Sequence, residues 1–301
     1  DVILTPSPPL TSGLLAILLA KLKGAKTIYN VQEIYPDLLI NLSHLKNTFI
    51  INFLKRLERF VYNSSNAVTT IDKQFYNIIK PRIKQESSLH IIPNFVDTDL
   101  YVTESSTKLP AEFLCKPGFT NMLYAGNIGL AQEWDLVLNL AKEIRDESIT
   151  IWIIGEGVKK EYLKSQIEKH QLSNIKLLPY QDRKYMPVIN LFADFHFIAM
   201  DKSMENEGFP SKVYSIMASG RPMVIVSSEN TPITSFLNET DTSLFVTDHS
   251  LSGFKNAVLK LAQDKELRIS LGANGRKIIE QKYTKQFVIN QYTDLAENIC
   301  N

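Results

Sequence analysis

Phe195-His196-Phe197-Ile198-Ala199, then Ser211-Lys212-Val213-Tyr214-Ser215-Ile216-Met217-Ala218, then Met223-Val224-Ile225-Val226 is the stretch on which the fold turns. An apolar run, a helical segment opening just after Pro210 and a second apolar run make strand, helix and strand, the unit of a parallel sheet. The same alternation runs outward in both directions. Beyond residue 120, strands are expected at 122–125, 150–154, 176–178, 195–199, 223–226 and 244–246, with amphipathic helices over 133–144 and 159–170. Before residue 100 the expected strands are 2–5, 27–31, 67–71 and 90–92.

A doubly wound nucleotide-binding half holds about six strands. The second half therefore looks whole and the first short by about two, as expected of a chain that has lost its amino-terminal part; no Met precedes Asp1. Residues 97–118 are rich in Ser, Thr and Pro without a sustained period, which suggests a domain break there. The expected organisation is a partial first domain over 1–110, a second over 111–280 and a terminal helix over 281–301 returning to the first. Residues 272–299 look like two consecutive helices broken near Tyr283 and Thr284.

The 301 residues are 44% hydrophobic and 22% charged, with 15 Phe, 12 Tyr and 2 Trp, ample for two cores. A formal net charge of +1 argues against non-specific nucleic-acid binding, which needs a basic surplus, so any polyanion contact is local. Cys115 and Cys300 are the two cysteines, which excludes a disulfide scaffold and a cysteine-ligated zinc site and favours a reducing compartment. His44, His90, His170, His196 and His249 show no metal-ligand spacing, and His196, inside a strand, is expected in the core. The apolar run at 14–20 is shorter than a membrane span and has no basic leader before it.

Three segments at expected strand ends carry chemistry, because ligands of open α/β sheets bind at the carboxyl ends of strands. In 207–222, Gly208, a Pro210 at the first helical position and Lys212 in the first turn suit a phosphate-binding helix start. Residues 124–132 place Gly126 and Gly129 after a strand, where a ligand approaches the backbone closely. Gly155-Glu156-Gly157 follows the next strand, but Lys160 stands where a dinucleotide fingerprint has its third glycine.

In order and context these segments resemble the retaining glycosyltransferases of family 4, and within it a bacterial capsule and O-antigen branch similar to the colanic-acid and fucosamine transferases. Residues 124–132 resemble that branch's YSGNIGxxQ; Gly155 to Gly157, its GxG; Pro210-Ser211-Lys212 with Ala218-Ser219-Gly220-Arg221-Pro222, its PSK…AxGRP; Ile92-Pro93-Asn94-Phe95-Val96-Asp97, its IPNxVD; and Gln32 to Asp37, its Q-D-hydrophobic-x-P-E. The resemblance covers nearly the whole chain. It implies an α/β GT-B fold of two facing Rossmann-like domains, the first incomplete here.

It also implies a function: transfer of a sugar, with retention, from a nucleotide diphosphate sugar to a glycan or lipid-linked acceptor in cell-surface polysaccharide synthesis. Glu207 matches the first carboxylate of the family's E-x₇-E, which holds donor-sugar hydroxyls; the second position, expected at the ribose, is Ser215. The family's usual Arg and Lys after the first strand of the second domain are replaced in the region of Asn127 and Gln132, which leaves Lys212 as the best cation for the diphosphate. Glu207 and Lys212 are thus the catalytic candidates. Gly126, Asn127, Ile128, Gly129, Gln132, Gly155, Glu156, Gly157, Pro179, Tyr180, Gly208, Phe209, Pro210, Ser211 and Ser215 are the donor-binding ones.

On the acceptor side, Glu33 and Asp37 either orient the acceptor or act as base; equally, they cap the following helix. No metal or cofactor is expected, because Lys212 and backbone N–H groups would take the leaving-group charge. Two alternatives stay open: a UDP-sugar epimerase of the same fold, and a catalytically inactive nucleotide-sugar-binding fragment. The helix over 47–62 carries Lys46, Lys55, Arg56 and Arg59 among Phe49, Ile50, Ile51, Phe53, Leu54 and Leu57. It either rests on an anionic membrane, giving a cytoplasmic enzyme peripheral to the inner face of the plasma membrane, or packs its apolar face on a sheet.

Overall fold

A computed structural model of the chain describes residues 1–43, 47–206, 209–238 and 240–301. His44, Lys46, Glu207 and Gly208, singled out above, lie outside those residues. The chain forms two compact units, Asp1–Phe95 with Lys285–Asn301, and Val96–Thr284.

The first unit is built from β1 (Val2–Ser7), α1 (Leu10–Lys23), β2 (Lys26–Val31), α2 (Asp37–Ser43), α3 (Thr48–Ser64), β3 (Ala67–Thr70), α4 (Lys73–Ile79) and β4 (Leu89–Ile91). Its sheet is parallel, in the order β1-β2-β3-β4. Side-chain caps start two of its helices: Asn47 accepts from the Phe49 and Ile50 amides, and Asp72 from that of Phe75. Gly13 lets α1 lie close to α3, since a Cβ there would come within 2.5 Å of Val61 Cγ1.

The second unit follows the order β5 (Thr120–Ala125), α5 (Trp134–Glu143), β6 (Ile149–Ile154), α6 (Lys160–Lys169), β7 (Ile175–Leu178), α7 (Met186–Phe192), β8 (Phe195–Ala199), α8 (Lys212–Ala218), β9 (Met223–Val226), α9 (Pro232–Leu237), β10 (Ser243–Val246), α10 (Leu251–Gln263) and α11 (Lys265–Lys282). Its six parallel strands lie in the order β10-β9-β8-β5-β6-β7, so the order reverses between β5 and β8. All residues of β6 and β9 are buried, as expected of strands covered by helices on both faces. After a break at Tyr283 and Thr284, α12 (Lys285–Cys300) joins the first unit, where Val288 and Leu295 pack with Ile28, Ala67 and Ile92. Among the described residues no helix is long and apolar enough to cross a membrane.

The units part at Phe95 and Val96, not near residue 110. Residues 97–118 look like a linker in composition, yet they are fastened to the second unit. Arg276 donates to the Tyr101 and Thr98 carbonyls, at 2.5 and 3.4 Å, and Phe113 stacks on Trp152 with ring centroids 5.4 Å apart.

Candidate functional site

The strand order reverses beside β5, and the crevice of a doubly wound sheet opens at the carboxyl ends of the strands flanking such a point. The loop after β5 and the loop after β6 meet there. The Gly126 amide donates to the Ile154 carbonyl at 2.9 Å and that of Ile128 to Glu156 at 2.7 Å, so the ladder continues past the strand ends. The meeting tolerates no side chain: a Cβ on Gly155 would sit 1.8 Å from the Gly126 oxygen, and one on Gly157 2.3 Å from the Ile128 oxygen. Gly126, Gly155 and Gly157 all have φ near +150°, a region closed to other residues.

Aromatic packing braces the same loop. Tyr124 donates its hydroxyl to the Asn127 carbonyl at 2.6 Å and meets Trp134 edge-on, and the Trp134 indole donates to the Gly129 carbonyl at 2.9 Å. Gln132 accepts from the Gly129 amide at 3.3 Å and bridges to Met200 at the end of β8. Gly126 and Asn127 are left exposed on this fixed loop.

Lys212, the first residue of α8, reaches back to it. Its ammonium stands 3.5 Å above the centroid of the buried Tyr124 ring, and a Cβ on Gly126 would be 2.7 Å from Nζ. Burial lowers its pKa from the usual 10.5 to about 7. Among the described residues no carboxylate pairs with it. A desolvated cation at an exposed glycine loop is suited to an anion.

The start of α8 differs from the sequence expectation. The helix begins at Lys212, so Pro210 precedes its first turn, and the Val213 and Tyr214 amides donate to the Pro210 and Ser211 carbonyls. With those amides consumed, the positive end of this site is the ammonium rather than a row of free N–H groups. The Ser215 hydroxyl donates to the Lys212 carbonyl at 2.9 Å and receives a 3.5 Å contact from Asn190. Phe209 joins an aromatic cluster with Tyr214, Phe236 and Tyr283. Glu156 is exposed and pairs with Lys160 at 2.5 Å, while Pro179 and Tyr180 are exposed after β7.

In the first unit, Asn94 donates to Gln32 at 2.9 Å, which joins the 92–97 and 32–37 segments after β4 and β2. Asp37 accepts from Arg82 at 2.5 Å, and Arg82 also holds the buried Glu58 at 2.7 Å. This carboxylate therefore has a structural partner. Glu33 is half-buried in the same segment.

One cluster escaped the sequence reading. His249, after β10, has Nδ1 2.7 Å from Glu133 and Nε2 3.2 Å from Glu205, and Glu205 also accepts from the Ser228 amide at 2.8 Å and the Ser227 hydroxyl at 3.2 Å. His249 and Glu205 are buried, and the hydrogen bonds from Ser228 and His249 hold the Glu205 carboxyl below its ordinary pKa despite desolvation. The residues come from the ends of β8, β9 and β10 and the start of α5. Strand adjacency is the signal that would have joined them. His196 is buried, with its pKa lowered to about 3 by that burial, and its Nε2 lies 3.2 Å from the Asn190 carbonyl.

Residues 107–278, which include the glycine loops, Lys212 and the His249 cluster, match the family model described as glycosyl transferases group 1. The chain belongs to the group 1 glycosyl transferases. This group 1 chain is 25% identical over 228 residues to the putative colanic acid biosynthesis glycosyl transferase WcaI of Escherichia coli (strain K12), a match that covers 72% of the chain and 54% of the relative. It therefore spans about half of that relative's length. It is 22% identical over 302 residues to the probable glycosyltransferase WbjE of Pseudomonas aeruginosa, covering 97% of the chain and 73% of WbjE.

Among solved structures, the group 1 chain matches sucrose-phosphate synthase from Thermosynechococcus elongatus with a TM-score of 0.79 at 14% identity, over 99% of the chain and 73% of the synthase. It matches Anabaena HepE in complex with UDP with the same TM-score and identity, over 98% of the chain and 78% of HepE. These likenesses establish the fold, two parallel-sheet α/β units of the GT-B kind.

Proposed function

We propose that this chain moves a sugar from a nucleoside diphosphate sugar to a glycan or lipid-linked acceptor, with retention, in the synthesis of a cell-surface polysaccharide. The observation that carries the reading is the Lys212 ammonium, desolvated and without a described carboxylate partner, beside the exposed backbone of Gly126. An enclosed lone cation is costly, and a diphosphate offsets that cost. The colanic acid role in the name of WcaI and the UDP held by HepE support the substrate classes.

In this reading the diphosphate lies along Gly126 and Asn127 with Lys212 on its charge. Breaking the bond between sugar and diphosphate leaves negative charge on the departing oxygen, and an ammonium already in place stabilises it without reorganisation. Glu207, with Gly208, holds the sugar hydroxyls; Ser215 faces the ribose; Gly155 and Gly157, which have no room for a Cβ, hold the loop behind the nucleotide against the Gly126 and Ile128 backbone. Glu33 serves the acceptor side, where Asp37 is already engaged by Arg82. Lys212 takes the part that a divalent metal plays elsewhere.

A thermal-shift panel of UDP-, GDP- and dTDP-sugars tests the proposal, because a ligand of the native state raises the melting temperature with occupancy. One nucleotide series is expected to raise it in the parent and not in Lys212→Met. No shift with any of them contradicts the proposal.

A further inference from the structure

At the end of the second sheet away from Lys212 lies a cavity of about 390 Å³, set between α11 and the turns that lead into β8 and β9. Asp194 and Arg221 line it from those turns. Lys265, Arg268, Arg276 and Lys277 line it from one face of the helix. Five cations thus share one small space with two carboxylates, those of Asp194 and Glu280.

Part of this charge is structural. Arg276 pairs with Glu280 at 2.7 Å and donates to the Tyr101 and Ala218 carbonyls, and Arg268 donates to the Leu261 and Ala262 carbonyls near the end of α10. These two guanidiniums close helix ends and loops. The rest of the charge has no such use. Asp194 already accepts from the Asn121 amide at 2.8 Å and stands 3.7 Å from Arg268. Arg221 donates to the Leu191 carbonyl at 2.5 Å, but its enclosed Nε has no acceptor among the described residues. Burial lowers the Arg221 pKa, a shift that Asp194 eases and the charge of Arg268 reinforces. Lys265 and Lys277 are exposed at the rim, and neither pairs with a carboxylate among the described residues.

Two guanidiniums held in one cavity with one shared acid repel each other, and an oxyanion between them offsets the repulsion. Phosphate matches the planar fork of an arginine with paired hydrogen bonds. The cavity is larger than a phosphate needs, and Thr103 and Glu280 on its wall suit hydroxyl groups.

We infer that this cavity binds a phosphate monoester of sugar size, with its phosphate between Arg221 and Arg268 and with Lys265 and Lys277 adding charge at the rim. The site is distinct from the glycine loops. Those stand at the carboxyl ends of the strands and this one at the amino ends, so α8 starts with Lys212 at one and stops three residues before Arg221 at the other.

Calorimetric titration of the full chain with ribose 5-phosphate, inorganic phosphate and ribose tests the inference. The ester is expected to bind at least tenfold more tightly than inorganic phosphate and to weaken with salt, and ribose is expected not to bind. Lys212→Met is expected to bind the ester as the parent does. Arg221→Gln is expected to lose at least tenfold in affinity. The double variant Lys265→Gln, Lys277→Gln is expected to lose at least fivefold with an unchanged melting temperature, since both side chains are exposed. Lack of ester binding, inorganic phosphate bound as tightly as the ester, loss of ester binding in Lys212→Met, or full binding by either the Arg221 or the double lysine variant overturns the inference.

Discussion

Gly155 and Gly126 touch backbone to backbone, so closely that a Cβ on Gly155 would lie 1.8 Å from the Gly126 carbonyl oxygen. The loop that presents Gly126 to a ligand therefore takes its position from the loop behind it. Gly155→Ala is expected to cost about 3 kcal/mol or more, through the clash and the strained φ together, and to abolish nucleotide binding. Gly24→Ala, also at positive φ but in open space, is expected to lose only about 1 kcal/mol and to bind as the parent does. Urea unfolding and nucleotide titration of the two variants check this.

His249 is held between Glu133 and Glu205 at 2.7 and 3.2 Å. His249→Ala leaves the buried Glu205 without that partner and is expected to lower stability by about 3 kcal/mol. Glu205 stands two residues before Glu207, so weaker donor binding is expected to accompany the loss. An unfolding midpoint equal to the parent's would show that the cluster fastens nothing.

Burial depresses the Lys212 pKa to about 7. Between that value and the usual 10.5 the unfolded chain holds a proton that the folded chain has released, so the folding stability due to this group rises with pH through that window. Below pH 7 the whole cost of the buried charge is present. Lys212→Met is therefore expected to melt a few degrees above the parent at pH 6.5, with the gap narrowing by pH 9. Melting curves of both proteins across that range measure it.

Arg82 joins Glu58 and Asp37 in the first unit. Arg82→Met strands Glu58, buried and already raised in pKa by desolvation, at a cost of about 3 kcal/mol near neutral pH. Protonation of Glu58 relieves that cost, so the variant's deficit is expected to shrink as pH falls towards 5. A deficit that grows on acidification, followed by circular dichroism, would contradict this account.

Much of this was legible because it is local. Apolar runs such as 195–199 and 223–226 fix strands by burial on both faces, and the glycines at 126, 155 and 157 announce close backbone approach before any partner is known. What was illegible depends on contacts between distant segments. The ends of β8 and β10 come together only through the order of the sheet, so His249 looked isolated beside Glu205. The domain break was misplaced because residues 97–118 have the composition of a linker, while Arg276, far along the chain, fastens them to the second unit. Asp37 looked free because its partner, Arg82, is 45 residues away. The helical segment expected from Ser211 to Ala218 begins one residue later, at Lys212, with Ser211 as its N-cap.

The central claim is that Lys212, over Tyr124 and beside Gly126, holds the diphosphate of a nucleotide. Calorimetric titration of UDP at pH 8, in buffers of different ionisation enthalpy, tests it most directly. At that pH the free lysine is mostly neutral and the bound one charged, so the parent is expected to take up close to one proton per UDP, and Lys212→Met to bind at least tenfold more weakly with no uptake. UDP binding with equal affinity and the same proton count in parent and variant would contradict the claim.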